Sequence, residues 1–198
     1  ESKNIDKTML IGHSMGGKTA MQFACDFPNK TEKLIVADIA PKFYPPHHHE
    51  IIDGLIKIDV SALTSRKEAD DELQKHIANF GVRQFLLKNV YWNDEKKLYF
   101  RFNLPLLTLK MEEVGDNINS TDSYAGPTLF LTGSKSEYVT DGDMTQIKSL
   151  FPLAEMVTIS NAGHWLHAEN PKEFLSKSLN FLTLLLSEEH VWQSKTKH

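Results

Sequence analysis

Two rhythms of apolar residues run along this chain, one unbroken and short, the other spaced at helical intervals. Met9-Leu10-Ile11 is an unbroken apolar run, the pattern of a strand buried on both faces. Helix formers follow it at Lys18, Ala20, Met21, Gln22 and Ala24. Pro28-Asn29 marks a turn, and KLIVADIAP reads as a second buried strand ending near Ile39. Pro41, Pro45 and Pro46 then break the pattern. From about Phe43 to Ala125 the spacing turns helical. Ile51, Ile52, Leu55 and Ile56 share one face, and Ser65 with Glu68 forms a capping-box pattern ahead of Ala69, Leu73 and Ile77. Val82, Phe85, Leu86 and Val90 make a further stripe, KLYFRF is read as a short strand, and a helix is predicted after Asn103.

Strand–helix alternation resumes after Gly126-Pro127 with TLFLTG, then a helix carrying Met144, Ile147 and Phe151 on one face, then the strand EMVTI. Asn170, Pro171 and Glu173 supply the cap, first-turn proline and N3 acid of a last helix, whose Phe174, Leu175, Leu179 and Leu182 face inward. The predicted organisation is an α/β core from 1–42 and 126–186, a helical insert at 43–125 that reads as a cap over the sheet, and a polar tail at 187–198 that frays.

Composition narrows the function classes. A chain of 198 residues is long enough for one domain with a real core. A net charge of −4 without a basic block points away from nucleic acid. No apolar run is long enough to cross a bilayer, and no signal or transit peptide is visible at a start that itself reads as truncated. The single cysteine, Cys25, excludes an intramolecular disulfide and favours a reducing, intracellular compartment.

The chemistry begins at Gly12-His13-Ser14-Met15-Gly16, a G-x-S-x-G motif between predicted strand and predicted helix. A sharp turn there would expose the Ser14 hydroxyl above the sheet, with Gly12 and Gly16 leaving room for strand and helix to pass. The Met15 N–H, at the helix N-terminus, would donate to a developing oxyanion. A glycine-rich turn with an idle serine is the plain alternative, and the flanking strand, helix and Gly17 weigh against it. A serine nucleophile needs a base, and the base an orienting acid. His164, in the Gly-containing loop SNAGHWLHAENP after the last strand, is placed to be the base; His167 is the rival, and His13 is read as support for the turn. His47-His48-His49 invites a metal, but consecutive helical side chains diverge, so an exposed stretch is expected and no metal or cofactor is predicted. Two positions are open to the acid. One is the third residue after the glycine closing TLFLTG, but that is Ser136, which carries no charge, and neighbouring Glu137 should point elsewhere. The other is Asp38, a lone carboxylate in an apolar strand, unless it merely caps the strand end.

The stretches GHSMGGKTAM, VADIAP, GPTLFLTGSKSEYV and NAGHWLHAENP, spread from Met9 to Pro171, resemble the α/β-hydrolase superfamily. More narrowly they resemble its subgroup of α/β-hydrolase domain-containing protein 11 and bacterial short-chain esterases. The resemblance implies an α/β-hydrolase fold, here lacking its N-terminal strands and carrying the helical cap. It implies a Ser14–His164–Asp38 arrangement, Ser136 as an accessory hydrogen-bonding residue, and hydrolysis of acyl esters, including lipid esters such as diacylglycerol. It further implies a mitochondrial setting in eukaryotes. The fold normally has strands ahead of the elbow, so a complementing N-terminal segment is an expected partner and the chain alone is expected to be weakly active. The contrasting expectation is a catalytically weak chain that binds or stabilises a protein partner.

Overall fold

The computed structural model describes residues 5–45, 49–118, 121 and 123–192, with side chains up to residue 183. In chain order the elements are β1 (Thr8–His13), α1 (Met15–Asp26), β2 (Thr31–Ala37), α2 (His49–Ile56), α3 (Arg66–Gln74), α4 (Phe80–Leu87), β3 (Val90–Trp92) and β4 (Leu98–Phe100). There follow α5 (Leu104–Leu109), α6 (Met111–Val114), β5 (Thr128–Gly133), α7 (Met144–Leu150), β6 (Ala154–Ile159), α8 (Leu166–Glu169) and α9 (Pro171–Trp192).

The contacts divide the chain into two compact units. The first combines Glu1–Phe43 with Asn117–His198; the second is Tyr44–Asp116. The segment 117–125, read from sequence as part of the insert, therefore goes with the first unit. Its Tyr124 is buried there and donates its N–H to the Leu150 carbonyl at 2.8 Å.

In the first unit the described strands form one parallel sheet in the order β1-β2-β5-β6. β2 and β5 are covered on both faces, which is why they read as continuous apolar runs. Leu34, Val36 and Phe130 face α1 and α7, with Phe130 edge-on to Phe151 at 5.9 Å. Ile35, Ala37, Leu129 and Leu131 face the opposite side, packed with Leu166, Phe174, Phe181 and Leu182 of α8 and α9. Each fully buried Leu, Ile or Phe in these layers contributes roughly 1.5–3 kcal/mol by burial. The last helix is described as far as Trp192.

The second unit has its own core, including Leu55, Leu73, Val90 and Leu98. Ser65 caps α3 by accepting from the Glu68 N–H, while the Glu68 carboxylate takes the Thr64 amide instead of that of Ser65. Val90 does not continue the α4 stripe. It opens β3, paired antiparallel with β4, because the β-branched and aromatic run Val90-Tyr91-Trp92 suits a hairpin better than another helical turn.

Candidate active site

β1 ends at His13 and α1 begins at Met15, so Ser14 alone makes the reversal. It holds φ 54° and ψ −123°, a conformation costing a non-glycine residue on the order of 1–3 kcal/mol. The surroundings hold it there. Its N–H donates to the Ala37 carbonyl at 3.0 Å, and its own carbonyl accepts from Gly17 and Lys18 at 2.8 and 3.1 Å. A Cβ on Gly12 would stand 2.3 Å from the Gly16 carbonyl oxygen, so no other residue fits there without backbone movement. Gly16 itself faces open space. The second close approach is made by Gly17 instead, whose Cβ would lie 2.6 Å from Ile39 Cγ2.

Asp38 follows β2 with φ 52° and is 1% exposed. A buried carboxylate is tolerated when its lone pairs are met by donors. Oδ1 accepts from the Gly133 N–H at 3.1 Å; Oδ2 accepts from the Ser136 hydroxyl and from His164 Nδ1 at 2.8 Å. The Tyr138 N–H donates to Ser136 Oγ at 3.3 Å, which leaves the Ser136 proton for Asp38.

His164 lies in the loop after β6, with Nε2 3.0 Å from Ser14 Oγ. A carboxylate only accepts, so Nδ1 carries the ring proton and the Nε2 lone pair faces the serine hydroxyl. Three features hold the loop. Glu169 accepts from the amides on either side of His164, Gly163 at 2.9 Å and Trp165 at 3.3 Å. Gly133 lets the loop cross the end of β5, since a Cβ there would be 2.3 Å from the Gly163 oxygen. The Tyr138 ring stacks on the His164 imidazole, centroids 3.9 Å apart and planes 18° from parallel. Burial, and secondarily the Asp38 charge, push the Tyr138 phenol above its usual range, so it stays neutral.

Ser14, Asp38, Ser136 and His164 all follow the carboxyl ends of parallel strands, where the open α/β sheet leaves room for ligands. The Met15 N–H opens α1, where first-turn amides have no intrahelical acceptor. Glu137 is exposed and outside this network. His167, on α8, packs edge-on against His13 at 4.7 Å; it is His164 that reaches Ser14. His13 does more than support the turn: its Nε2 lies 2.7 Å from the His164 carbonyl oxygen. The sequence locates Gly133 as the glycine closing TLFLTG, an acid five residues after His164 and an aromatic two after Ser136, but nothing in their spacing says what they touch.

His47 and His48 lie outside the described residues, and His49 is exposed on α2. Among the described residues no three His, Cys, Asp or Glu side chains are grouped to hold a metal. No described helix is long and apolar enough to cross a membrane. The second unit has a groove of about 510 Å³ lined by Leu55, Ile56, Ile58, Leu98, Phe100 and Leu104 among others.

A family model described as the alpha/beta hydrolase fold matches residues 1–171. Among curated relatives, the sn-1-specific diacylglycerol lipase ABHD11 of Danio rerio is 40% identical over 186 residues, covering 90% of this chain and 58% of its own length. Esterase YbfF of Escherichia coli is 32% identical over 185 residues, covering 92% of this chain and 70% of its own. A solved marine microorganism esterase is 42% identical with a TM-score of 0.85, covering 91% of this chain and 72% of its own. The chain thus spans about three fifths of the length of the vertebrate relatives it matches.

Proposed function

The chain belongs to the α/β-hydrolase family, and from that premise we propose that it is a serine hydrolase cleaving carboxylic esters through an acyl-enzyme. One observation carries the proposal: a hydroxyl, an imidazole and a buried carboxylate joined in that order by bonds of 3.0 and 2.8 Å. Ser14 Oγ attacks the ester carbonyl while His164 Nε2 takes its proton, a general-base contribution of about 10²–10⁴-fold. Asp38 holds the productive tautomer and offsets the charge of the imidazolium. Ser136 fixes the second lone pair of Asp38 Oδ2. The oxyanion of the tetrahedral intermediate accepts from the Met15 N–H, and one such donor is worth about 10²–10³ in kcat. His164 then passes its proton to the leaving alkoxide. Water, deprotonated by the same nitrogen, releases the acyl group and restores Ser14.

Lipid esters such as diacylglycerol are the proposed substrates, supported by the name of the fish relative and by the resemblance set out above. The same resemblance supports a mitochondrial location, which subcellular fractionation tests. We also propose a complementing segment beside β1. Among the described residues β1 pairs only with β2, and its Ile11 is 53% exposed on the sheet face that α9 covers elsewhere. That open edge equally favours the second reading, a chain that acts by binding a protein partner. Intact mass after fluorophosphonate treatment separates the two. The enzyme reading expects one adduct, lost in Ser14→Ala; labelling that persists in Ser14→Ala refutes it.

A further inference from the structure

The base and the nucleophile are tied together twice, and only one of the ties is the reactive hydrogen bond. His164 reaches Ser14 Oγ through its side chain at 3.0 Å. Its main-chain carbonyl lies 2.7 Å from Nε2 of His13, the residue joined to Ser14 by a peptide bond. A carbonyl oxygen can only accept, so His13 Nε2 carries a proton and donates. Two adjacent residues of the elbow thus grip the side chain and the main chain of one residue in the base loop, closing a ring that links β1 to the loop after β6.

We infer that His13 is a positioning residue: its hydrogen bond to the His164 carbonyl sets the distance between the base and the Ser14 hydroxyl. The inference rests on the ester-hydrolase reading of Ser14 and His164. Three observations support it. First, the base loop is tied to the β5 side of the sheet at Ala162, whose carbonyl accepts from the Lys135 N–H at 2.8 Å, but that bond does not reach the segment that carries Ser14. Glu169 shapes the loop by holding the Gly163 and Trp165 amides, but it comes from the α8 that the loop itself leads into. His13 supplies the bond from the loop to the nucleophile's own segment. Second, the His13 ring is held in place on its other sides. It packs 4.7 Å from the His167 ring, 5.7 Å from Trp165 and 4.8 Å from the His164 imidazole. Third, burial lowers the His13 pKa, with the charges of neighbouring His164 and His167 acting in the same direction and the carbonyl hydrogen bond opposing them. The ring is therefore neutral at pH 7, with its one proton committed to the carbonyl. A neutral donor holds the loop without placing a positive charge beside the imidazolium that forms during reaction.

The required accuracy is small in distance and large in rate. A displacement of about 1 Å between reacting groups costs on the order of 10²-fold. Removing the His13 donor while keeping its ring should cost kcat about tenfold or more and leave KM nearly unchanged.

The test uses the longest natural chain containing these residues, with p-nitrophenyl butyrate turnover and fluorophosphonate labelling rate as readouts. His13→Phe keeps the aromatic packing and removes the donor. His13→Gln discards the ring but places an amide N–H at a similar reach. The expected result is a kcat and labelling rate reduced about tenfold or more in His13→Phe and largely restored in His13→Gln, although the second variant has lost more packing. His13→Phe at the wild-type rate overturns the proposal. So does a folded His13→Gln as impaired as His13→Phe, with both following their loss of thermal stability, since that is the behaviour of a packing residue. Should His13→Phe not fold, His13→Gln alone decides: near-normal kcat supports the donor, and a folded but inactive protein overturns it. A wild-type chain that is neither labelled nor active instead removes the ester-hydrolase reading, a separate outcome read before either variant.

Discussion

Replacing Asp38 by Asn is the sharpest perturbation available, because it changes one atom in a carboxylate that meets three donors. In the native site Oδ1 takes the Gly133 amide, and Oδ2 takes both Ser136 and His164 Nδ1. An asparagine has two ways to fit. If its oxygen keeps Gly133, its NH₂ faces His164 Nδ1 and forces that nitrogen to accept. The ring proton then moves to Nε2, pointing at Ser14, and the base is lost. If the amide flips, the oxygen serves His164 but the NH₂ confronts the Gly133 N–H, leaving a buried donor unsatisfied. That costs about 1–3 kcal/mol, so the productive orientation is depopulated roughly 5- to 150-fold. Even when populated, a neutral acceptor stabilises the imidazolium less than a carboxylate, by about 1 kcal/mol or another fivefold. The product is about 25- to 750-fold, and the wrong-tautomer penalty in the serine protease triad reaches about 10⁴. The expected loss in kcat for Asp38→Asn therefore lies between about 25-fold and about 10⁴-fold with the fold retained. Glu137→Gln should change little, since that side chain is exposed, and Ser136→Ala should fall between. The assay is kcat for ester hydrolysis by the three variants, with circular dichroism to establish folding. A near-normal Asp38→Asn beside an inactive Glu137→Gln would reverse the assignment of the acid.

Gly12→Ala sets a methyl group against the Gly16 carbonyl and should cost about 1–3 kcal/mol of stability along with most of the activity, whereas Gly16→Ala meets nothing; equal effects on Tm would contradict the close-approach argument. The His13 ring binds its proton less readily folded than unfolded, so its contribution to stability is full above the unfolded value of 6.5 and falls as pH drops below it. Tm should accordingly fall more steeply between about pH 7 and 5 in the wild type than in His13→Gln, and identical slopes would refute the burial effect. Arg83→Leu removes the partner of Asp70 and donors to the Ile77 and Ala78 carbonyls, and should destabilise the second unit by about 3 kcal/mol, measured by thermal melting. Esters of longer apolar acids should show higher kcat/KM than acetyl esters of the same alcohol if lipid esters are the substrates; equal or reversed preference would count against them.

The sequence by itself determined what is local in the chain. Apolar runs marked the strands of the core, glycines and a serine between strand and helix marked the elbow, and Asn103 and Asn170 marked helix starts that their side chains do cap. It also singled out Asp38, because a lone carboxylate in an apolar run needs partners and the chain offered few. Boundaries set by competition between neighbouring elements were less legible. Val90 could continue a helix or open a hairpin, and the pairing with Phe100 decided it. Segment 117–125 carries no marker of which unit it joins until Tyr124 is buried beside Leu150. Only the tertiary structure could bring together groups far apart in the chain. His164 is held at once by His13, Asp38, Tyr138 and Glu169, and all but Glu169 arrive from other strand ends of the same sheet. No periodicity encodes such contacts, because they depend on the order and register of strands, which distant parts of the chain decide jointly.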